Sequence, residues 1–343
     1  MASIHEIAQN KPLAHPGVAS IRLFDFDSAP PDHLKGIYGD VYRGLEPEVY
    51  PNAPRKIAHL LPREHGKSAT MMVCIVWAIL RDPDLRVLVM SESATQAKNK
   101  LREIRDHVER LAPKFGHEID TDNSTELTLE RDANWDVPTV KAAGLNSGVT
   151  GGHYDVVLFD DVISYKSQRT TSRRETVWKT FQERLNLKSG TNTLFIVLGT
   201  RKHPQDLYSR LIDSPAWDVT VEQAISDFSV IENREFDIVT AAGKRYDSLG
   251  DIDPSMETVT GIEPHRDVPV LWDERHPLDS LILDYLSAGH DGTAPVWVRE
   301  NQNDARALMG QILNPDMLKY VSAGEVPDDL TWFVGIDLAV EAD

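Results

Sequence analysis

Four short runs in this chain are apolar at nearly every position, and each stops abruptly on small, acidic or hydroxyl residues. They are "KIAHLLP" from Lys56, "LRVLVMSES" from Leu85, "YDVVLFDDV" from Tyr154 and "NTLFIVLGTR" from Asn192. A strand with one wet face alternates apolar and polar residues; a continuous run is what a strand buried on both faces requires. The stretches between these runs are long enough for helices. "KSATMMVCIVWAILRD" follows the first run, and "DP" at 82 and 83 stops it. "TQAKNKLREIRDHVERLAP" places Leu101, Ile104, Val108 and Leu111 at helical spacing, and "SRRETVWKTFQERLNLK" is amphipathic. "ELTLE" and "TVKAAG" between residues 126 and 144 read as a strand pair. The order strand, helix, strand, helix, strand predicts an α/β fold with a parallel central sheet and crossover helices.

Composition narrows the class. At 343 residues with 41% hydrophobic side chains, the chain can bury a substantial core. Its longest apolar run, "MMVCIVWAIL", has ten residues and is too short to span a bilayer, and "MASIHEIAQNK" lacks a signal-peptide core. The single cysteine, Cys74, falls inside an apolar helix and reads as core. The histidines form neither a His-x-x-x-His nor a His-Glu-x-x-His pair, so no zinc site is expected. An intracellular protein is the expectation.

The net charge is −18, with 33 Asp against 21 Glu and 14 Lys against 22 Arg. Two readings of this acidity stand side by side: an ordinary acidic enzyme, or an Asp-rich, Lys-poor surface suited to strong salt. In molar salt the Debye length is about 3 Å, so global repulsion would not exclude a nucleic-acid partner. Local basic patches have to decide that question.

The chemistry gathers where the apolar runs end. Leu61 is followed by Pro62-Arg63-Glu64-His65-Gly66-Lys67-Ser68, which closes like a phosphate-binding loop but has Leu61 where its first glycine should stand. A loop that opens a helix aims free backbone amides and the helix dipole at an anion. Lys67 then reaches the β and γ phosphates of ATP, Ser68 ligates Mg²⁺, and Pro62 fixes the turn rigidly. Arg63 is either a second cation toward the phosphates or a plain surface residue. The run "VVLFDD" delivers Asp160 and Asp161 at a strand's C-terminal edge, where ligands sit in such sheets. With a nucleotide nearby, the first holds the metal and the second orients the attacking water; otherwise the pair caps the next helix. "VLGTR" ends on Thr200, either a sensor of the γ-phosphate or part of a simple turn.

Together these segments resemble the large terminase subunits of tailed viruses, ATPases that pump DNA into empty capsids. The resemblance is carried by the Pro-Arg-x-x-Gly-Lys-Ser loop, the Ser-Glu-Ser segment at 85–93, "GLNSGVTGGHYDVVLFDDV", "VLGTR" and "LWDERHPLDSLILDYLSAG…VWVRENQNDARALMGQ". "WFVGIDLA" looks like the first strand of the family's RNase H-like nuclease, with Asp337 as its first metal ligand. The resemblance spans most of residues 55–343. It implies a P-loop ATPase of the ASCE, RecA-like type with a small connecting subdomain and the first strand of a nuclease. It further implies ATP and Mg²⁺ as cofactors, and double-stranded DNA, a portal protein and a small terminase subunit as partners. A pentameric ring docked at the procapsid's portal vertex in the host cytoplasm belongs to the same implication.

This sequence departs from the family at several points. The second acid is Asp161 where many members have Glu, and His153 stands near a place where members carry an arginine. The arginine acting on a neighbour's nucleotide is therefore unassigned among Arg131, Arg169, Arg173 and Arg174. Asp337 alone cannot perform two-metal chemistry, so no DNA cleavage is expected of these 343 residues.

Two basic patches are candidate DNA contacts: Lys98, Arg102 and Arg105 on one face of the second helix, and Arg169, Arg173 and Arg174 just after the acidic pair. Both are equally readable as solvated faces. Contacts there would be to phosphates, without sequence information. The expected organisation is an irregular or helical segment at 1–50, the ATPase core at 51–215, a connecting subdomain at 216–330 and the start of a nuclease at 331–343. A helicase-like DNA-dependent ATPase and a nucleotide-binding DNA scaffold without turnover are the rival readings.

Overall fold

The computed structural model describes residues 11–24, 26, 29–149, 151–290 and 292–308. Asp337 and the expected nuclease strand lie outside these residues.

The four apolar runs form β1 (Lys56–Leu60), β2 (Val87–Ser91), β6 (Val156–Asp160) and β7 (Leu194–Gly199). They are joined by β3 (Ile119–Asp122), β4 (Glu126–Leu129), β5 (Val140–Gly144) and β8 (Asp218–Val221) in one eight-stranded sheet. The order is β3-β4-β5-β2-β6-β7-β1-β8. All pairings from β5 to β8 are parallel, while β3 and β4 add an antiparallel edge. The sheet thus takes in β8, past the boundary expected at 215.

Side chains alternate between two cores along each central strand. On one face Ile57, Val87, Val89, Val156, Leu158, Ile196 and Leu198 pack with α3 (Lys67–Arg81) and α4 (Ala94–Leu111). On the other, Ala58, Leu88, Met90, Val157, Phe159 and Val197 pack with α5 (Thr171–Arg184) and α6 (Leu207–Ile212). Helix α4 begins on a capping box: Ser93 accepts from the Gln96 amide and the Gln96 side chain returns to Ser93 N–H. Cys74 is buried within α3, and burial pushes its thiol pKa up.

The N-terminal segment is more ordered than its prolines suggest. Helices α1 (Pro16–Leu23) and α2 (Asp32–Leu45) place Ala19, Leu34, Ile37, Tyr38 and Val41 in the first core. Trp77 Nε1 ties the segment down through Leu13 O at 2.9 Å.

After β8 the pattern changes. The stretch from 224 to 261, polar and turn-rich in sequence, contains α7 (Ser229–Glu232) and, with the three residues after it, a three-stranded antiparallel sheet. That sheet is ordered β10 (Arg245–Tyr246), β9 (Phe236–Thr240), β11 (Val259–Pro264). With α8 (Leu278–His290) and α9 (Ala294–Gln302) it builds a third core around Ile225, Phe236, Ile238, Leu281 and Ile282. Strand β9 buries only alternate residues, which is why no continuous apolar run announces it.

Candidate nucleotide-binding site

The first half of the loop between β1 and α3 is held by backbone. Leu61 N–H donates to Gly199 O at 3.0 Å, tying its start to β7, and Arg63 N–H donates to Glu300 O on α9 at 2.9 Å. Two positions have positive φ: Glu64 at 64° and Gly66 at 78°. Gly66 is the N-cap of α3 and makes no side-chain cap. A Cβ there would lie 3.0 Å from Leu34 and 3.3 Å from Trp272, so backbone conformation and close approach both select glycine. The first amides of α3 have no intrahelical partner, and no side chain at the N-cap covers them. That geometry receives a phosphate.

Three motifs far apart in sequence meet at this helix start. Lys67, buried, donates from Nζ to Thr200 Oγ1 at 3.2 Å, and Thr200 donates onward to Leu61 O at 2.9 Å. Ser68 Oγ donates to Asp160 Oδ1 at 3.2 Å. Asp160 ends β6 and is buried; burial pushes its carboxyl pKa up, Lys100 opposes the shift and the Asp161 charge adds to it. Asp161 follows with φ 49°, half-buried, its N–H donating to Leu198 O at 3.0 Å. Arg63 and Glu64 are exposed at the rim. The paired oxygens of Ser68 and Asp160 suit a hard divalent cation such as Mg²⁺.

His65 lies inside the loop, almost fully buried. Its Nδ1 bonds Arg63 O at 2.8 Å, and its ring stacks on His276 at 4.5 Å. Burial lowers its pKa to about 4, and His276, His33 and Lys67 add to the shift.

Several participants were not legible in the sequence. Lys100 of α4 ion-pairs with Asp160 Oδ2 and reaches Ser68 Oγ at 3.5 Å. Asn303, buried after α9, donates to Leu60 O at 3.0 Å and Glu222 O at 2.7 Å and accepts from Arg201 N–H at 3.0 Å. One amide therefore joins the ends of β1, β7 and β8. Glu300 pairs with Lys202 at 2.7 Å, two residues past Thr200. The one hint of α9's role was that its segment resembles the terminase family's connection between domains; nothing in its residue types points to the loop.

The basic candidates separate by environment. Lys98 and Arg102 are exposed on α4, whereas Arg105 pairs with Asp122 and donates to Asn123 O. Arg169 is exposed; Arg173, also exposed, donates to Lys166 O at 3.1 Å. Arg174 is buried, bonded to Gln168 O at 2.9 Å, Thr171 Oγ1 at 2.9 Å and Gln205 Oε1 at 3.2 Å. Arg131 donates to Val137 O at 2.5 Å, and burial lowers its pKa.

Strand β7 lies between the strand that feeds the loop and the strand that ends in the acidic pair. That order, with the loop opening α3, defines an ASCE-type P-loop α/β fold. No family model matches the chain. The large terminase subunit of Enterobacteria phage T3 is 27% identical to it over 167 residues, which are 47% of this chain and 28% of that protein. The chain resembles the ATPase portion of large terminase subunits, as its motifs indicated. Two solved structures are also similar in part. The large terminase ATPase domain of Thermus phage P74-26 is 16% identical at TM-score 0.37, over 55% of this chain and 82% of its own. The HK97 bacteriophage large terminase is 18% identical at TM-score 0.40, over 57% of this chain and 40% of its own.

Proposed function

We propose that this chain is the ATP-hydrolysing motor portion of a large terminase, driving double-stranded DNA into a procapsid. The observation that carries the reading is the convergence of Lys67 with Thr200 and of Ser68 with Asp160, across 133 and 92 residues of sequence. A loop lysine, a hydroxyl at a helix start, a strand-end acid and a polar residue just past the intervening strand are parts that P-loop phosphoryl transfer uses.

The roles follow from position. The amides of α3 hold the β-phosphate, and Lys67 leaves Thr200 for the γ-phosphate. Ser68 and Asp160 would hold Mg²⁺, which when bound would neutralise charge on the triphosphate. Asp161, displaced from its neighbour by a left-handed backbone, orients water for in-line attack. Arg63 at the rim adds a cation to the phosphates. Thr200 returns to Lys67 once the γ-phosphate has gone. That exchange is felt by the connecting region, since Lys202 and Arg201 on the same segment are bonded to Glu300 and Asn303. DNA phosphates meet Lys98 and Arg102 and, beside the acidic pair, Arg169 and Arg173. Portal, small terminase, a pentameric ring and docking at the portal vertex belong to the reading through the terminase resemblance. So do the organisation into core, connecting subdomain and nuclease, and Asp337 as a ligand of the last.

A helicase-like ATPase needs a second RecA-like sheet. Among the described residues, the chain after β8 supplies a three-stranded antiparallel sheet and short helices instead. Steady-state phosphate release, measured alone, with DNA, and with DNA plus portal-bearing procapsids, tests the proposal. Stimulation by the complete packaging mixture beyond DNA alone supports a packaging motor. Stimulation by DNA alone, with no further response, supports a helicase-like enzyme, and no turnover leaves a scaffold.

A further inference from the structure

We propose that Lys100 is a built-in cation occupying the metal position of the nucleotide-free site, so that Mg²⁺ enters with the nucleotide and not before it. This deepens the P-loop reading and rests on it. Lys100 Nζ touches the two residues that would hold the metal, pairing with Asp160 Oδ2 and reaching Ser68 Oγ at 3.5 Å. Among the described residues, Lys100 is the cation that pairs with Asp160. The Asp160 side chain is 3% exposed and Lys100 is 23% exposed, so the acid is sealed in while the lysine keeps a way out.

A carboxylate buried this deeply, with Asp161 beside it, needs a counter-charge. An ammonium on a flexible four-carbon stem supplies one, and withdraws without rearranging the backbone. Mg²⁺ requires oxygen ligands at about 2.0–2.1 Å in a near-octahedral shell. It therefore cannot share the Ser68–Asp160 position with Lys100. The exchange is competitive, involves no covalent change, and releases Lys100 toward solvent.

Two protein ligands give free Mg²⁺ little advantage over a tethered ammonium. Mg²⁺ carried by a triphosphate brings phosphate ligands with it and binds through the loop as well. Lys100 therefore sets an order of entry, and α4 carries the displaced charge.

The test is metal binding to nucleotide-free protein, using Mn²⁺ as the probe and its electron paramagnetic resonance signal as the readout. Lys100→Met should bind Mn²⁺ about ten-fold or more tightly than wild type, whereas Lys100→Arg, which keeps the cation, should stay close to wild type. Asp160→Asn added to Lys100→Met should abolish the gain. Equal or weaker Mn²⁺ binding by Lys100→Met overturns the proposal. A gain that survives Asp160→Asn means the metal binds elsewhere, which overturns the assignment of Asp160 and with it this part of the P-loop reading. A second measurement needs no variant: acylation of Lys100 in wild type, followed by mass spectrometry. It should be slow in apoprotein, unchanged by Mg²⁺ alone, and several-fold faster with Mg²⁺ and a non-hydrolysable ATP analogue. Equal rates in all three states also overturn the proposal, while acceleration by Mg²⁺ alone overturns the order of entry.

Discussion

The two sheets formed by the described residues bury their strands in different ways. In the eight-stranded sheet, β1, β2, β6 and β7 are covered along nearly their whole length, because helices lie on both faces. In the three-stranded sheet, β9 buries every second residue and β11 is half exposed. A doubly covered parallel strand can offer polar groups to a ligand only where it ends. Asp160 and Thr200 stand at such ends, and Lys67 and Ser68 open the helix after another. The antiparallel region brings no matching set, yet its following helix reaches the same site through Arg63 N–H, Glu300 and Asn303. On the proposed function, chemistry falls to the first region and the second is placed to respond to it.

The strongest way to break that division is to remove chemistry from the first region alone. Lys67→Ala should lower ATP hydrolysis on the order of a hundred- to a thousand-fold or more, because it deletes a cation aimed at developing phosphate charge. Circular dichroism should remain that of wild type, since Lys67 lies at a helix start and its loss removes one buried hydrogen bond. Turnover at the wild-type rate would remove the P-loop assignment.

The acidic pair sharpens the comparison within the same region. Asp161→Asn should bind Mg·ATP nearly as wild type does and hydrolyse it roughly a hundred-fold more slowly, as expected on losing a positioned base. Asp160→Asn should weaken metal-dependent nucleotide binding itself, since its Oδ1 accepts from Ser68. Fluorescent-nucleotide titrations with and without Mg²⁺ separate the two. Identical binding defects would show that the roles are not divided.

The second region is tested at Asn303, whose φ of 50° calls for a residue tolerant of the left-handed region. Asn303→Gly keeps that freedom and deletes the amide. Leu60 O, Glu222 O and Arg201 N–H then lose a shared partner, costing about 1–3 kcal/mol in a urea melt. Basal hydrolysis should change only a few-fold, while stimulation by DNA and procapsids should fall. Unaltered stimulation would mean that the clamp is structural only.

What the sequence made legible follows the same line. The continuous runs identified β1, β2, β6 and β7, and the residues just past them identified the loop, the acidic pair and Thr200. Periodicity at Leu101, Ile104, Val108 and Leu111 located α4, and all four are buried. Lys100 escaped notice because charge on a helix is ordinarily solvated, and only the packing of α4 against β2 and β5 aims this one inward. Asn303 was invisible because backbone carbonyls recruit its amide, and Glu300 because its own carbonyl receives Arg63 N–H; backbone partners leave no trace in residue type. Strands β9 to β11 were missed because half-exposed strands carry polar residues at alternate positions. Arg174 looked like a free cation by composition but is consumed by Gln168, Thr171 and Gln205.

The narrowest expected effect, confined to the interval between about pH 4 and 6.5, is a pH dependence rooted where the two regions touch. His65 of the loop stacks on His276, which precedes α8, and its Nε2 is buried without a hydrogen-bond partner among the described residues. Burial holds the folded-state pKa at about 4, against 6.5 for a free imidazole. Between these values the unfolded chain binds a proton that the native protein refuses, so protons favour unfolding. The contribution is fully present above pH 6.5 and is lost progressively as pH falls toward about 4. At about 1.4 kcal/mol per unit, the whole loss is at most a few kcal/mol. His65→Gln keeps a donor for Arg63 O but cannot titrate, so its urea midpoint should fall less steeply over this window than that of wild type. His33, whose pKa burial also lowers, contributes in the same sense and is the necessary comparison as His33→Gln. Parallel slopes for wild type and His65→Gln would mean that the loop histidine is already solvated where the two regions meet.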